Sequence, residues 1–276
     1  MRMSADQASD VAGLLRSVAQ TEILPRFRKL ASGDIRVKSS PLDLVTEADE
    51  AAERVIAREL AVRFPSAMIL GEEAAAANPV LLETMLDAEL CFIIDPVDGT
   101  ANFAAGVPLF GVMVAAVRNG ETIAGWIYDP MGDDTVIGLR GEGAWVQSPS
   151  GARIDCRVAA PAPMGEMVGA ISWGYLPTER KAHLLPRLSR LAGTLNFRCA
   201  AHEYRLAVTG GVHVLLYNRL MPWDHAAGAL IHAEAGGYSA QFDGSAYSPR
   251  QHSGGLICAP DAASWDTVRE SLLGEA

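Results

Sequence analysis

Apolar residues recur at the helical interval at Val11, Leu14, Leu15, Val18, Ile23 and Leu24, which predicts an amphipathic helix over roughly residues 6–31, ended before Gly33. The same period returns through Ala52, Val55, Ile56, Leu60 and Val62. A second helix is therefore expected from Asp49 to Phe64, stopping at Pro65, with Asp49 at its start where an aspartate caps well. Residues 37–45 read as extended and turn-rich, Met68–Leu70 as a short strand that delivers Glu72 and Glu73, residues 74–79 as a loop, and 80–86 as a weaker helix. The continuous apolar run Cys91–Phe92–Ile93–Ile94 has the pattern of a buried strand. Pro96 fixes its own φ and biases Asp95 away from the helical region, so this strand is expected to end there. Gly99 then frees the turn, and Thr100 can open a helix.

After this point the pattern turns to β. Residues 107–118 and 122–128 pair as strands about an Asn119–Gly120 turn, and 135–139 and 144–147 suggest two more short strands. Gly138, Gly141 and Gly143 give G-x-x-G-x-G with no helix behind it, which reads as a turn between strands and not as a nucleotide loop. Residues 148–151 and 161–165 are the expected linkers between a β-heavy first half and an alternating second half. In that half, strands at 167–172, 194–197, 212–217 and 255–258 alternate with helices at 179–191 (broken near Pro186), 202–208, 224–234 and 262–273. Alternation of this kind indicates a layered α/β protein.

Composition narrows the possibilities. With 276 residues, 49% hydrophobic and 20% charged, the chain has ample core for a globular protein. A net charge of −10 argues against a nucleic-acid or anionic-membrane binder, and it requires a cation to reverse the local field wherever an anionic substrate is to bind. Cys91, Cys156, Cys199 and Cys258 are scattered without C-x-x-C, so they read as free thiols in a reducing compartment. The amino terminus, Met1–Asp6, lacks a signal-peptide core and no apolar run approaches transmembrane length, so the expected location is cytoplasmic.

Chemistry concentrates at Asp95 and Asp98. Two acids at a rigid strand end, beside backbone donors at Gly99 and Thr100, suit a hard cation carrying a phosphate; taken alone, the same pair also fits caps on a helix and a turn. The string Asp95–Pro96–Val97–Asp98–Gly99–Thr100–Ala101–Asn102–Phe103 resembles the D-P-[IVL]-D-G-T-x-N-F signature of the inositol monophosphatase family of metal-dependent phosphatases. Three further segments agree, in the family's order: Lys38–Ser39–Ser40–Pro41–Leu42–Asp43–Leu44–Val45–Thr46–Glu47–Ala48–Asp49, then Leu70–Gly71–Glu72–Glu73, then Pro222–Trp223–Asp224–His225–Ala226–Ala227–Gly228 running on to Glu234–Ala235–Gly236–Gly237.

The resemblance spans nearly the whole chain. It implies one domain over residues 1–276, with an α+β first half to about 150 and an α/β second half from about 151, folded as an αβαβα sandwich of the inositol monophosphatase / fructose-1,6-bisphosphatase type. It implies magnesium, two or three ions, lithium sensitivity and a homodimer. Glu72, Asp95 and the Val97 carbonyl would hold the metal that activates water, and Asp95, Asp98 and Asp224 the metal that receives the leaving oxygen. The Thr100 hydroxyl, paired with Asp49, would orient the attacking water. The Gly99 and Thr100 amides would bind phosphate, and Asp98, Ala200 and Asp224 would border the substrate. Glu73 reads as a neighbour of the ligands and not as one of them. Lys38 is either a residue of the anionic site or a plain surface lysine. Asp224 could cap its helix as well as ligate.

Other chemistries fit less well. His202, His213, His225 and His232 lack zinc-ligand spacing, and Cys199 with His202 lacks a third group to orient a nucleophile. A metal- and phosphate-binding regulator would not need the Asp49/Thr100 pair. Two departures from the family bear on the substrate: Arg198–Cys199–Ala200–Ala201 stands where G-[ST]-A-A is usual, and Tyr217 aligns with the acid that binds inositol hydroxyls. Fructose-1,6-bisphosphate, histidinol phosphate and 3′-phosphoadenosine nucleotides therefore compete with inositol phosphate as the small phosphorylated metabolite. Arg198 either points to solvent, pairing with an acid such as Glu203, or grips a second anionic group on the substrate.

Overall fold

The computed structural model describes residues 3–31, 33–40 and 43–274; Met1 and Arg2 of the amino terminus, and Pro41 and Leu42 of the Lys38–Asp49 motif, lie outside the described residues. Helix α1 (Ala5–Val18) opens on a capping box in which Ser4 and Gln7 satisfy each other's backbone amides. The α-helical part stops well short of residue 31. It passes through a π turn (Ala19–Ile23) into a 3₁₀ turn (Leu24–Arg26), where Pro25 cannot continue the ladder. Strands β1 (Ile35–Ser40) and β2 (Asp43–Thr46) form a small antiparallel ribbon.

Helix α2 (Glu47–Arg63) starts two residues earlier than the aspartate suggested. Thr46 is its N-cap, and Asp49 is the third residue, reaching back to the Thr46 amide. After β3 (Met68–Gly71) comes α3 (Glu72–Ala77), which takes in residues 74–77 of the expected 74–79 loop, because four consecutive alanines favour helix strongly. Helix α4 covers Val80–Thr84.

Strand β4 (Leu90–Asp98) does not end at Asp95. Its pairing with β5 (Gly111–Arg118) steps from Asp95↔Met113 to Asp98↔Gly111, so Pro96 sits in a bulge where no ladder amide is required. Gly99, at φ 87°, turns the chain into the short helix α5 (Thr100–Ala104). Strand β6 (Glu121–Asp129) follows a two-residue turn in which Asn119 and Gly120 both have positive φ, 49° and 85°. Strands β7 (Asp134–Leu139), β8 (Gly143–Gln147) and β9 (Arg153–Asp155) complete a seven-stranded sheet ordered β3 to β9. Residues 148–151 are thus a hairpin turn inside this sheet and not a linker.

The second half holds β10 (Val168–Ile171), α6 (Thr178–Leu184), β11 (Gly193–Leu195), α7 (Ala200–Val208), β12 (Val214–Tyr217), α8 (Pro222–Glu234), β13 (Tyr238–Gln241), β14 (Leu256–Ala259) and α9 (Ala262–Leu273). Its sheet runs β11-β10-β12-β14-β13, with β14 antiparallel to both neighbours. Leu15, Ile56 and Leu60 of α1 and α2 pack with Phe92, Val114 and Trp126 on one face of the large sheet. Helices α7 and α8 lie between the two sheets, and α6 and α9 cover the far face of the small one through Leu184, Trp265 and Val268. The layers are αβαβα.

Helix α8 sits very close to the large sheet. A Cβ on Gly125 would come within 2.8 Å of the Ala227 carbonyl oxygen, and one on Gly138 within 2.9 Å of Ile231 Cγ1. The turn between β7 and β8 holds the other end of this helix: the Gly141 and Gly143 amides donate to the two Glu234 oxygens at 2.8 and 2.9 Å. The glycine cluster is a turn, and the anion it cradles is the protein's own. Among the described residues no helix is long and apolar enough to cross a membrane.

Candidate active site

The end of β4, the first turn of α8 and the start of α3 converge on one cavity of about 550 Å³. It brings together every acid the sequence singled out as a ligand, Glu72, Asp95, Asp98 and Asp224, along with Val97. Ligand oxygens of Asp95, Asp98 and Asp224 all lie within 4.8 Å of one another. Asp224 is the third residue of α8, whose N-cap is Met221, so its side chain is free of capping duty and turns to the cluster.

Burial, and then the charge of Glu72 and the neighbouring aspartates, drives the Asp95 and Asp224 carboxyls far above the ordinary carboxylate range. Asp98 is raised by burial as well, against the Cys199 thiol and the Ala201 and Ala200 amides that donate to it. The Asp95 Oδ1 atom is buried with no hydrogen-bond partner. Crowded acids with an orphaned oxygen are costly by themselves and are satisfied by a cation with hard oxygen preferences. The residues present therefore fit a divalent metal.

Beside this cluster, Thr100 Oγ1 lies 3.0 Å from Asp49 Oδ1 and 2.9 Å from the Val97 carbonyl. The other Asp49 oxygen accepts from the Thr46 hydroxyl at 2.6 Å and the Thr46 amide at 2.9 Å. Burial raises the Asp49 carboxyl to about 7 despite these donors. The upstream aspartate and the Thr100 hydroxyl, 51 positions apart, are thus in direct contact.

Lys38 is not a plain surface lysine. Its ammonium lies 2.7 Å from Glu72 and 2.6 Å from Glu73, and the two acids push its pKa up against the opposing effect of burial. Glu53 went unnoticed in the sequence. Its buried carboxylate accepts from the Glu73 and Ala74 amides at 2.7 and 2.9 Å and so caps the helix that carries Glu72. A signal was available: Glu53 follows Asp49 by one helical turn, on a face otherwise made of Ala48, Ala52 and Ile56.

The alcohol side of the cavity holds the departures from the family pattern. Arg198, at φ 51°, donates from its guanidinium to Asn102 Oδ1 at 3.0 Å and from its amide to Asn196 Oδ1 at 3.0 Å. It does not pair with Glu203 through its guanidinium; that acid is buried, accepts from the Phe197 amide at 2.8 Å, and is raised to about 7 by burial. Tyr217 ends β12 with its ring 4.5 Å from His225 and 5.4 Å from Tyr204. Ala200 lines the cavity, and the next residue, Ala201, donates its amide to Asp98 at 2.6 Å.

The rival chemistries find no support in the geometry. Cys199 lies 3.0 Å from Asp98 Oδ2 as a donor, with burial and that carboxylate raising its pKa, so it is held as a thiol and not as a nucleophile. His202 donates to the Phe110 carbonyl at 3.1 Å. His225 donates from Nε2 to the Arg219 carbonyl at 2.8 Å, which leaves Nδ1 to accept from Tyr204, and burial lowers its pKa to about 4.

A profile of the inositol monophosphatase family matches residues 5–272. The inositol-1-monophosphatase of Bacillus subtilis (strain 168) is 31% identical over 217 residues, 78% of each chain. The fructose-1,6-bisphosphatase/inositol-1-monophosphatase of Thermotoga maritima is 32% identical over 211 residues, 76% of each. A solved IMPase of Thermotoga maritima superposes with a TM-score of 0.81 at 28% identity, covering 97% of both chains. The profile match over nearly its whole length, and the layered fold it shares with these structures, show that the chain belongs to the inositol monophosphatase family.

Proposed function

We propose that the protein is a magnesium-dependent phosphomonoesterase that hydrolyses a small phosphorylated alcohol or sugar. The observation that carries this is the meeting of four buried or half-buried acids with the Thr100–Asp49 pair on one cavity. Two or three magnesium ions bound there would neutralise the phosphoryl oxygens, activate a water and stabilise the departing alkoxide. Glu72, Asp95 and the Val97 carbonyl would hold the first ion, and Asp95, Asp98 and Asp224 the second.

The rest of the chemistry falls to the chain's own groups. Thr100 directs its proton to Asp49, which leaves an oxygen lone pair to accept from the attacking water and fix its direction. Asp49 keeps its orientation because Thr46 holds its other oxygen twice. The Gly99 and Thr100 amides, in the first turn of α5, face the phosphate, and Asp98, Ala200 and Asp224 border the alcohol. Mere binding of a phosphate would leave Thr100 and Asp49 without a task. The setting that goes with this reading is one inositol-monophosphatase-like domain, as a homodimer in a reducing cytoplasm. The cysteines, free among the described residues, support the reducing compartment.

A panel of phosphate esters tests the proposal: inositol 1-phosphate, fructose 1,6-bisphosphate, histidinol phosphate and a 3′-phosphoadenosine nucleotide, each assayed with magnesium, with EDTA, and with lithium added to magnesium. Phosphate release from at least one ester, abolished by EDTA and inhibited by lithium, is expected. Release that survives EDTA, or no release from any ester with magnesium, would contradict it.

A further inference from the structure

A second cavity, of about 560 Å³ beside the 550 Å³ of the first, opens on the other side of α6. This helix and the segment before it separate the two. Trp173 and Lys181 line the active cavity, whereas Leu176, Glu179, Arg180 and Leu184 line the second. The remaining walls come from the end of β13 with the turn after it, and from the last turns of α9. Three ties brace these walls. His183 Nε2 donates to the Leu273 carbonyl at 2.8 Å, Arg190 to the Ser271 carbonyl at 2.7 Å, and Arg269 Nε to the Phe242 carbonyl at 2.6 Å. A braced concavity of this size is a preformed pocket for a small molecule.

Its lining combines three chemistries. Leu176 and Leu184, with Phe242 and Leu273, supply apolar surface. Arg180 and Arg269 supply two guanidinium groups, and neither makes an ion pair with a carboxylate among the described residues. Arg269 is placed by neutral groups, the Phe242 carbonyl and the Trp265 ring, whose centroid lies 5.8 Å from the guanidinium carbon. Glu179 and Asp243 supply two carboxylates, and Asp243 is oriented by the Ser245 amide and hydroxyl at 2.9 and 2.7 Å. A simple anion entering this cavity meets two acids, and a simple cation meets two arginines. A molecule that carries both charges beside an apolar body meets a partner for each. We propose that the second cavity binds an α-amino acid with an apolar side chain. Arg180 and Arg269 receive its carboxylate through paired N–H donors, Glu179 and Asp243 receive its ammonium group, and the leucines and Phe242 receive its side chain. The site is separate from the acid cluster, and binding there does not depend on the phosphatase reading.

Calorimetry on the whole protein tests this without any turnover. The probes are L-leucine and L-phenylalanine, each compared with the amine that lacks its carboxylate and the acid that lacks its ammonium group. At least one amino acid is expected to bind saturably, with a Kd roughly 10-fold or more below that of either analogue. Arg180 and Glu179 are both exposed on α6, so their substitution leaves the core intact. Arg180→Gln should weaken the amino acid roughly 10-fold while leaving the amine unchanged, and Glu179→Gln should weaken it similarly while leaving the acid unchanged. Arg180→Lys, which keeps the charge, should retain part of the affinity. No saturable binding of either amino acid, equal Kd values for an amino acid and its analogues, or a Kd that Arg180→Gln or Glu179→Gln leaves unchanged would overturn the proposal.

Discussion

At the scale of single residues, the proposed chemistry depends on which atom holds which proton. Thr100 Oγ1 lies within hydrogen-bond reach of both Asp49 and the Val97 carbonyl. Its proposed role is to aim a water, so Thr100→Ala should lower kcat by about 10²-fold while magnesium affinity, measured by calorimetry, is retained. A parallel loss of magnesium affinity would make the hydroxyl a ligand or a structural tie. A second prediction concerns His232, buried in α8 beside Ser239 and lowered to about 4 by burial from its ordinary 6.5. The folded state resists protonation of this ring while the unfolded state accepts it. Its contribution is therefore fully present above pH 6.5 and is lost as pH falls toward 4, by up to about 3 kcal/mol. His232→Gln should flatten the fall in Tm between pH 7 and pH 4.5; an unchanged acid limb would show that other groups set it.

Residue identity was legible in the sequence wherever a local string encoded it, as at Asp95, Asp98 and Asp224. What Arg198 touches was not: its partner Asn102 stands 96 positions away, and only the left-handed turn set by Asn196 aims the guanidinium there.

At the scale of elements, the helix that carries Glu72 depends on a residue from another helix. Glu53 of α2 accepts the two amides that open α3, and it lies so close to Gly71 that a Cβ there would come within 2.4 Å of the carboxylate oxygens. Glu53→Gln places an amide donor against backbone donors. It should cost about 1–3 kcal/mol of stability in denaturant titrations and weaken magnesium binding by displacing Glu72. Unchanged midpoint and unchanged affinity would show that α3 holds itself. Long periodic helices such as α2 and α9 were readable, and so was the Asn119–Gly120 hairpin. Short elements were not. The α3 turn is set by alanine propensity and a distant cap, the β4 strand persists through Pro96 because a bulge removes the need for its amide, and β9 and β13 are too brief to show a period.

At the scale of the whole molecule, the site exists because two sheets share a central pair of helices. Asp95 and Asp98 come from the large sheet. Asp224 comes from α8, which that sheet admits closely through Gly125 and Gly138 and whose far end is fixed by Glu234. These three acids, with Glu72 from the start of α3, repel one another until a cation joins them. Asp95, shared between the proposed ions, is the point on which the account rests most heavily. The most direct measurement is phosphate release by Asp95→Asn at saturating magnesium, alongside wild type, on an ester that wild type hydrolyses. Loss of nearly all turnover with the thermal transition retained is the expected result, because a neutral amide cannot serve two cations. Retention of most of the activity would contradict the assignment of this cluster as the catalytic metal site.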